Sequence, residues 1–111
     1  NQPERKAPRI NFDKESIDLG KRKNGIPIEV KFTITNDGNA PLIISEIKGS
    51  CSCTVVENDT TPIAPGESRT IKANINTEQL FGKLTKTVTV KSNASPKEKT
   101  VFINFEIIEN N

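Results

Sequence analysis

Histidine, tryptophan, tyrosine and methionine are all absent from this 111-residue chain, and cysteine occurs only twice. Without histidine there is no Ser-His or Cys-His pair to activate a nucleophile. A structural zinc site wants four ligands, which two thiols cannot supply. Soft Cu(I) accepts two thiolates, but the methionine and histidine ligands that usually accompany it are missing. No apolar run is long enough to span a bilayer. No Gly-rich phosphate loop is present, since the glycines fall at turns. A chain without methionine does not begin at a translation start, so the expectation is an exported domain whose leader has been removed. The polar start, residues 1–8, reads as a flexible tether, whether a signal peptide, a lipid anchor or another domain preceded it.

Charge is also scarce as a net quantity. Sixteen Lys and Arg stand against fourteen Asp and Glu, for a formal net charge of +2 and a pI near 8.6. The basic runs, Arg5-Lys6 with Arg9 and Lys21-Arg22-Lys23, carry no interleaved aromatics that could stack on bases. Nucleic acid is therefore not an expected partner. The acids Asp13, Glu15, Asp18, Glu46, Glu57 and Asp59 sit at turns or on the polar phase of extended segments, scattered rather than paired as glycoside hydrolysis requires. With no catalytic constellation visible, neither an enzyme nor a cofactor is expected.

What is present is β pattern. Hydrophobic residues make up only 32% of the chain, but Val, Ile and Thr cluster in alternating segments, as in a folded β protein. Arg9 to Phe12 and Ser16 to Leu19 read as an edge strand broken at Asp13-Lys14-Glu15. From Pro27 to Thr35 the alternation is strict, with Ile28, Val30, Phe32 and Ile34 on one face. Asn36 to Pro41 reads as a loop of residues that tolerate left-handed dihedrals. Leu42 to Ile47 forms the next strand, and Pro65-Gly66 marks a tight turn.

Later strands carry Ile71, Ala73 and Ile75, then Leu84, Val88 and Val90 with Lys86 as a polar interruption, then Val101, Ile103, Phe105 and Ile107. Asn76 to Phe81 has room for one helical turn at most. The expected fold is all-β, an Ig-like antiparallel sandwich of about seven strands over residues 9–109. Its predicted core is Ile28, Val30, Phe32, Ile34, Leu42, Ile44, Ile71, Ile75, Val88, Val90, Ile103 and Phe105.

Several motifs stand in a fixed order: Phe32-x-Ile34-x-Asn36-x-Gly38-x-x-Pro41-Leu42, Ser50-Cys51-x-Cys53-Thr54, Pro62-Ile63-x-Pro65-Gly66, Gly82, and Val90-x-Ser92-Asn93. Together they resemble the bacterial Ig-like family catalogued as domain of unknown function 1573, over about residues 10–108. That family is similar in turn to the Ig-like modules of major sperm protein and Hydin type. The resemblance implies an exported seven-stranded sandwich, common in Bacteroides-like bacteria, and supplies no activity. Family members usually read Ser-Cys-Gly-Cys-Thr. Here Ser52 takes the glycine position, which disfavours positive φ between the cysteines.

Cys51 and Cys53 are the only candidates for chemistry. Residues two apart on a strand have Cα atoms about 6.6 Å apart, near the upper limit for a disulfide, so a bond between them needs a bulge or turn. Three readings stand: two small apolar side chains where the chain changes sheet, a local disulfide, or a thiol pair for redox or metal handling, for which Lys48 is a nearby cation. The first is the expected one.

The expected function is a binding or structural module outside the cytoplasm, contacting another protein or a cell-envelope component through strand edges and end loops. Phe102 and Ile108 lie on the opposite phase of the last strand from its core residues and form the candidate partner surface. Asp59-Thr60-Thr61 resembles the short acceptor motif of O-glycosylation in Bacteroides-like bacteria, which makes Thr60 a candidate modification site.

Overall fold

The computed structural model describes residues 6–50, 54–56 and 61–110. Among them eight strands form two four-stranded sheets, and no helix occurs. The strands are β1 (Ile10–Phe12), β2 (Ser16–Lys23), β3 (Ile28–Asn36), β4 (Ile44–Gly49), β5 (Thr54–Val56), β6 (Ser68–Ile75), β7 (Gly82–Ser92) and β8 (Glu98–Ile108). The first sheet has the order β1-β3-β6-β5 and the second β2-β8-β7-β4. All pairings are antiparallel except that of β2 with β8. This is the expected Ig-like sandwich.

The alternation along β3 has a direct physical outcome. Ile28, Val30, Phe32 and Ile34 are buried between the sheets, while Glu29 and Lys31 face water. Each residue of the predicted core is buried, from these four to Leu42, Ile44, Ile71, Ile75, Val88, Val90, Ile103 and Phe105. Phe12 meets the Phe32 ring edge-on, with centroids 5.7 Å apart, the arrangement that the aromatic quadrupole favours. The Lys99 ammonium lies 5.4 Å above the Phe12 ring, within cation–π range. Lys86, the polar interruption on β7, is half-buried, consistent with an aliphatic stem covering apolar surface beneath an exposed charge.

The break at Asp13-Lys14-Glu15 is more than a kink within one edge strand. β1 pairs with β3 in the first sheet, and β2 pairs with β8 in the second. Asp13 still belongs to the first sheet: its N–H donates to the Thr33 carbonyl at 3.1 Å, and its Oδ1 accepts the Thr33 N–H at 2.7 Å. Two residues later the Glu15 carbonyl accepts the Phe102 N–H at 2.8 Å and so belongs to the second. One broken strand thus serves both sheets, which is why about seven expected strands appear as eight.

The stretch Asn36 to Pro41 also differs from expectation. No non-glycine residue described has positive φ, so its asparagines do not supply left-handed turns. Asn36 instead ends β3 and is fully buried. Its side chain donates to the carbonyls of Ala40 and Ile63, each at 2.8 Å, and accepts the N–H groups of Gly38 and Arg9 at 3.0 and 3.3 Å. Leu42, expected within a strand, forms an isolated bridge with Ile63, and the strand proper begins at Ile44. Pro65-Gly66 is the tight turn expected: Glu67 N–H donates to the Ala64 carbonyl at 2.9 Å and Gly66 has φ 84°.

These motifs converge at one end of the sandwich, here the N-terminal pole. Besides the Asn36 contacts, Asn93 Oδ1 accepts the Ile43 N–H at 2.8 Å, and its Nδ2 donates to the Pro41 carbonyl at 3.2 Å. The Gly38 α-carbon lies so close to the backbone of Ala7, Pro8 and Arg9 that a β-carbon would collide with it. The incoming segment is therefore held against the β3 end by Asn36, Asp37, Gly38 and Asn39, all within one motif. The opposite pole holds the β2–β3 turn, the β6–β7 connection and the end of β8.

Candidate interaction surfaces

Lateral edges come first, because strand addition needs an edge with free backbone groups. β1 is an edge strand of only three residues, and β5, the edge at the other side of the same sheet, spans Thr54–Val56 among the described residues. β2 is longer but carries a bulge between Asp18 and Lys21, and ends in the exposed Lys21-Arg22-Lys23. β4 has its own irregularity between Ile44 and Glu46. Short strands, bulges and charged side chains are the devices that keep sheet edges from pairing with other chains. Edges built this way are poor templates for strand addition, and the poles and the outer sheet faces are the other surfaces on offer.

The C-terminal pole is built on Asn24. The Nδ2 of Asn24 reaches the carbonyls of Thr77, Glu78 and Leu80 at 2.7, 3.1 and 3.1 Å, and its backbone N–H donates to the Ile108 carbonyl at 2.8 Å. The buried Thr77 returns a hydroxyl hydrogen bond to the Ile26 carbonyl at 3.0 Å. No helical turn forms in the β6–β7 connection; Leu80 N–H closes a turn on the Thr77 carbonyl at 3.0 Å. This network holds two apolar side chains in water, Ile26 at 51% exposure and Phe81 at 59%. Leu80 and Ile108 are half-buried in the same connections.

Phe102 lies elsewhere. It is 47% exposed and sits six residues before Ile108, about 20 Å away along β8. The two residues expected to form one surface are thus placed on different ones. The outer face around Phe102 is polar, in rows set by register: Ser16, Phe102 and Thr87; then Asp18, Asn104 and Thr85; then Lys21, Glu106 and Lys83. Toward the other end of β8, Lys91 lies 3.2 Å from Glu46 and 3.5 Å from Glu98. The Glu46 carboxylate first, and Glu98 second, hold the Lys91 ammonium above its ordinary pKa. These side chains are about half exposed, so the pairs contribute little to stability.

Cys51, Cys53 and Thr60 lie outside the described residues. Their flanks are informative. β4 belongs to the second sheet and β5 to the first, so positions 50–53 join the two, as the sequence pattern implies. A β-carbon on Gly49 would stand 2.8 Å from the Thr54 Cβ, closer than packed carbons come. Ser50 is fixed from both sides, its N–H donating to the Thr87 carbonyl at 2.9 Å and its Oγ accepting the Thr87 N–H at 3.0 Å. Among the described residues no group of three or more Asp, Glu, Cys or His side chains is placed to hold a metal ion, and no helix is long and apolar enough to cross a membrane.

The family model described as Protein of unknown function (DUF1573) matches residues 10–107. The chain belongs to the DUF1573 family. Among solved structures, this DUF1573 domain is similar to a protein of unknown function from Porphyromonas gingivalis W83, with a TM-score of 0.80 at 15% identity, over 91% of this chain and 47% of that one. It thus spans about half the length of that neighbour. The PapD-like domain 7 of human CEP192 matches with a TM-score of 0.76 at 8% identity, over 99% and 92% of the two chains. WR4, a C. elegans MSP family member, matches at 0.62 and 9% identity, over 89% and 97%. At these identities the likeness is one of fold, the Ig-like sandwich of the MSP and PapD kind. Among curated proteins none matches the sequence, and the family that does match carries no assigned catalysis.

Ile26 and Phe81 were not singled out by sequence reasoning, because they sit in turns where no periodicity marks a face. The available signal was local: a large apolar residue lies directly beside turn residues in Asn24-Gly25-Ile26-Pro27 and in Phe81-Gly82. The polar rows around Phe102 were invisible for another reason. They arise from long-range register, the parallel pairing of β2 with β8 together with the antiparallel pairing of β7 with β8.

Proposed function

We propose that this DUF1573 domain is a non-catalytic module of the cell envelope, outside the cytoplasm, that binds another protein through its C-terminal pole. The observation that carries the reading is the exposure of Ile26 and Phe81 on adjoining connections fixed by Asn24 and Thr77. Large apolar side chains held rigidly in water lose little conformational entropy on docking, which makes them effective anchors. The blunted edges support the same reading, because they leave end loops as the better surface. The extracytoplasmic placement rests on the family resemblance and is tested by fractionating cells that produce the full-length protein.

The binding test is cross-linking in envelope fractions. Phe81→Ser and Ile26→Ser are expected to abolish a specific cross-linked species without lowering the melting temperature. Cross-linking unchanged by both substitutions would overturn the reading.

A further inference from the structure

A second surface is independent of that pole. Where β2 bulges, a cleft of about 520 Å³ opens on the outer face of the second sheet, bordered by Asp18, Lys21, Lys83, Thr85, Asn104 and Glu106. The bulge sets two residues of β2, Leu19 and Gly20, between Asp18 and Lys21, against the single Phe105 of β8, between Asn104 and Glu106. Gly20 supplies the left-handed conformation this needs, at φ 69°, and its N–H holds Asp18 Oδ1 at 3.2 Å. Bulges re-aim side chains in this way beside functional sites.

The chemistry of the cleft selects its ligand. Thr85 Oγ1 donates to Asn104 Oδ1 at 2.7 Å, and Asn104 Nδ2 donates to Ser16 Oγ at 3.3 Å. The Asn104 amide is thereby oriented, and each amide, hydroxyl and carboxylate keeps further capacity to donate or accept. Two carboxylates, Asp18 and Glu106, and two ammonium groups, Lys21 and Lys83, line the cleft together, so it favours neither an anion nor a cation. One step along β8 from Asn104, on the same face and about 7 Å away, stands the half-exposed Phe102 ring. A neutral ligand rich in hydroxyl groups but with one apolar C–H face satisfies this set, and a pyranose sugar is such a ligand. From Phe102 to Glu106 the strand runs about 13 Å, room for two or three sugar rings, and the volume falls within the usual range of small-ligand sites, about 300–1,000 Å³.

We infer that the outer face of the second sheet binds a short neutral oligosaccharide, with Phe102 as the stacking platform and Asp18, Thr85 and Asn104 as the hydroxyl-binding groups. The test is an amide-shift NMR titration of the isotopically labelled domain with cellotriose, maltotriose and N,N′,N″-triacetylchitotriose. At least one of the three is expected to shift the amides of residues 18–21, 83–87 and 102–106. Phe102→Ala and Asn104→Ala should each weaken that binding by about tenfold or more, while their spectra show that the fold is intact. Phe81→Ser should bind the sugar as the parent does, which keeps this site separate from the protein-binding pole. No shift with any of the three at about 10 mM, shifts confined to other residues, or binding unaffected by both alanine variants would overturn the inference.

Discussion

Asn36 shows how much a single side chain can organise. It is a fully buried amide whose four partners lie on the incoming segment, its own loop and the Ile63 turn. Replacing it with alanine strands buried backbone groups on all three. Asn36→Ala is expected to cost about 2–4 kcal/mol, read from the urea midpoint at constant m-value; a loss below about 0.5 kcal/mol would mean water replaces the amide. The sequence placed Asn36 within the family motif but read it as a loop residue, because one local window cannot show that a chain 27 residues away supplies its acceptor. The cysteines are a different case, since their flanks show the sheet crossing but not their packing. Cys51→Ser and Cys53→Ser are expected to lower stability by about 1–3 kcal/mol, a hydroxyl replacing an apolar group, with no loss of thiol exchange on a model disulfide. Lost exchange with unchanged melting would instead assign them redox chemistry.

At the level of elements, legibility followed periodicity. β3, β6 and β8 announce themselves because a period of two places all their large apolar residues on one face, so burial could be named residue by residue. Phe32→Ala should accordingly cost about 3–5 kcal/mol in equilibrium unfolding. The first strand shows the limit of that signal: the pattern stops at Asp13 and resumes at Ser16, but nothing local says that the second piece belongs to another sheet. Turns were less legible still, and the C-terminal pole is made of turns. Asn24→Ala removes the amide that joins them, so partner binding at this pole should weaken even with Ile26 and Phe81 intact. Hydrogen exchange should rise in residues 76–81 and stay unchanged at the N-terminal pole. Uniformly faster exchange would show that Asn24 supports the whole fold rather than this pole.

On the scale of the whole molecule, the lack of histidine leaves no side chain of ordinary pKa that changes charge between about pH 6 and 8, so the melting temperature should be flat across that range. For Lys91 the folded-state pKa is raised by Glu46 and then Glu98. What those pairs contribute is fully present below the ordinary lysine value and is lost only as pH climbs through the raised one. Glu46→Gln should therefore lower neutral-pH melting only slightly, since the pair is exposed, and even that small difference from the parent should vanish as pH climbs through the raised lysine value. The parallel pairing of β2 with β8 has a mechanical consequence. Tension applied to the two chain ends draws these neighbouring strands in opposite directions along their shared axis, so their hydrogen bonds are loaded together, in shear. Stretched by its ends in an optical trap, a single molecule should yield abruptly at high force. Anchored instead at Ser16 and Lys97, which lie toward the same pole, it should peel open bond by bond under a far smaller load.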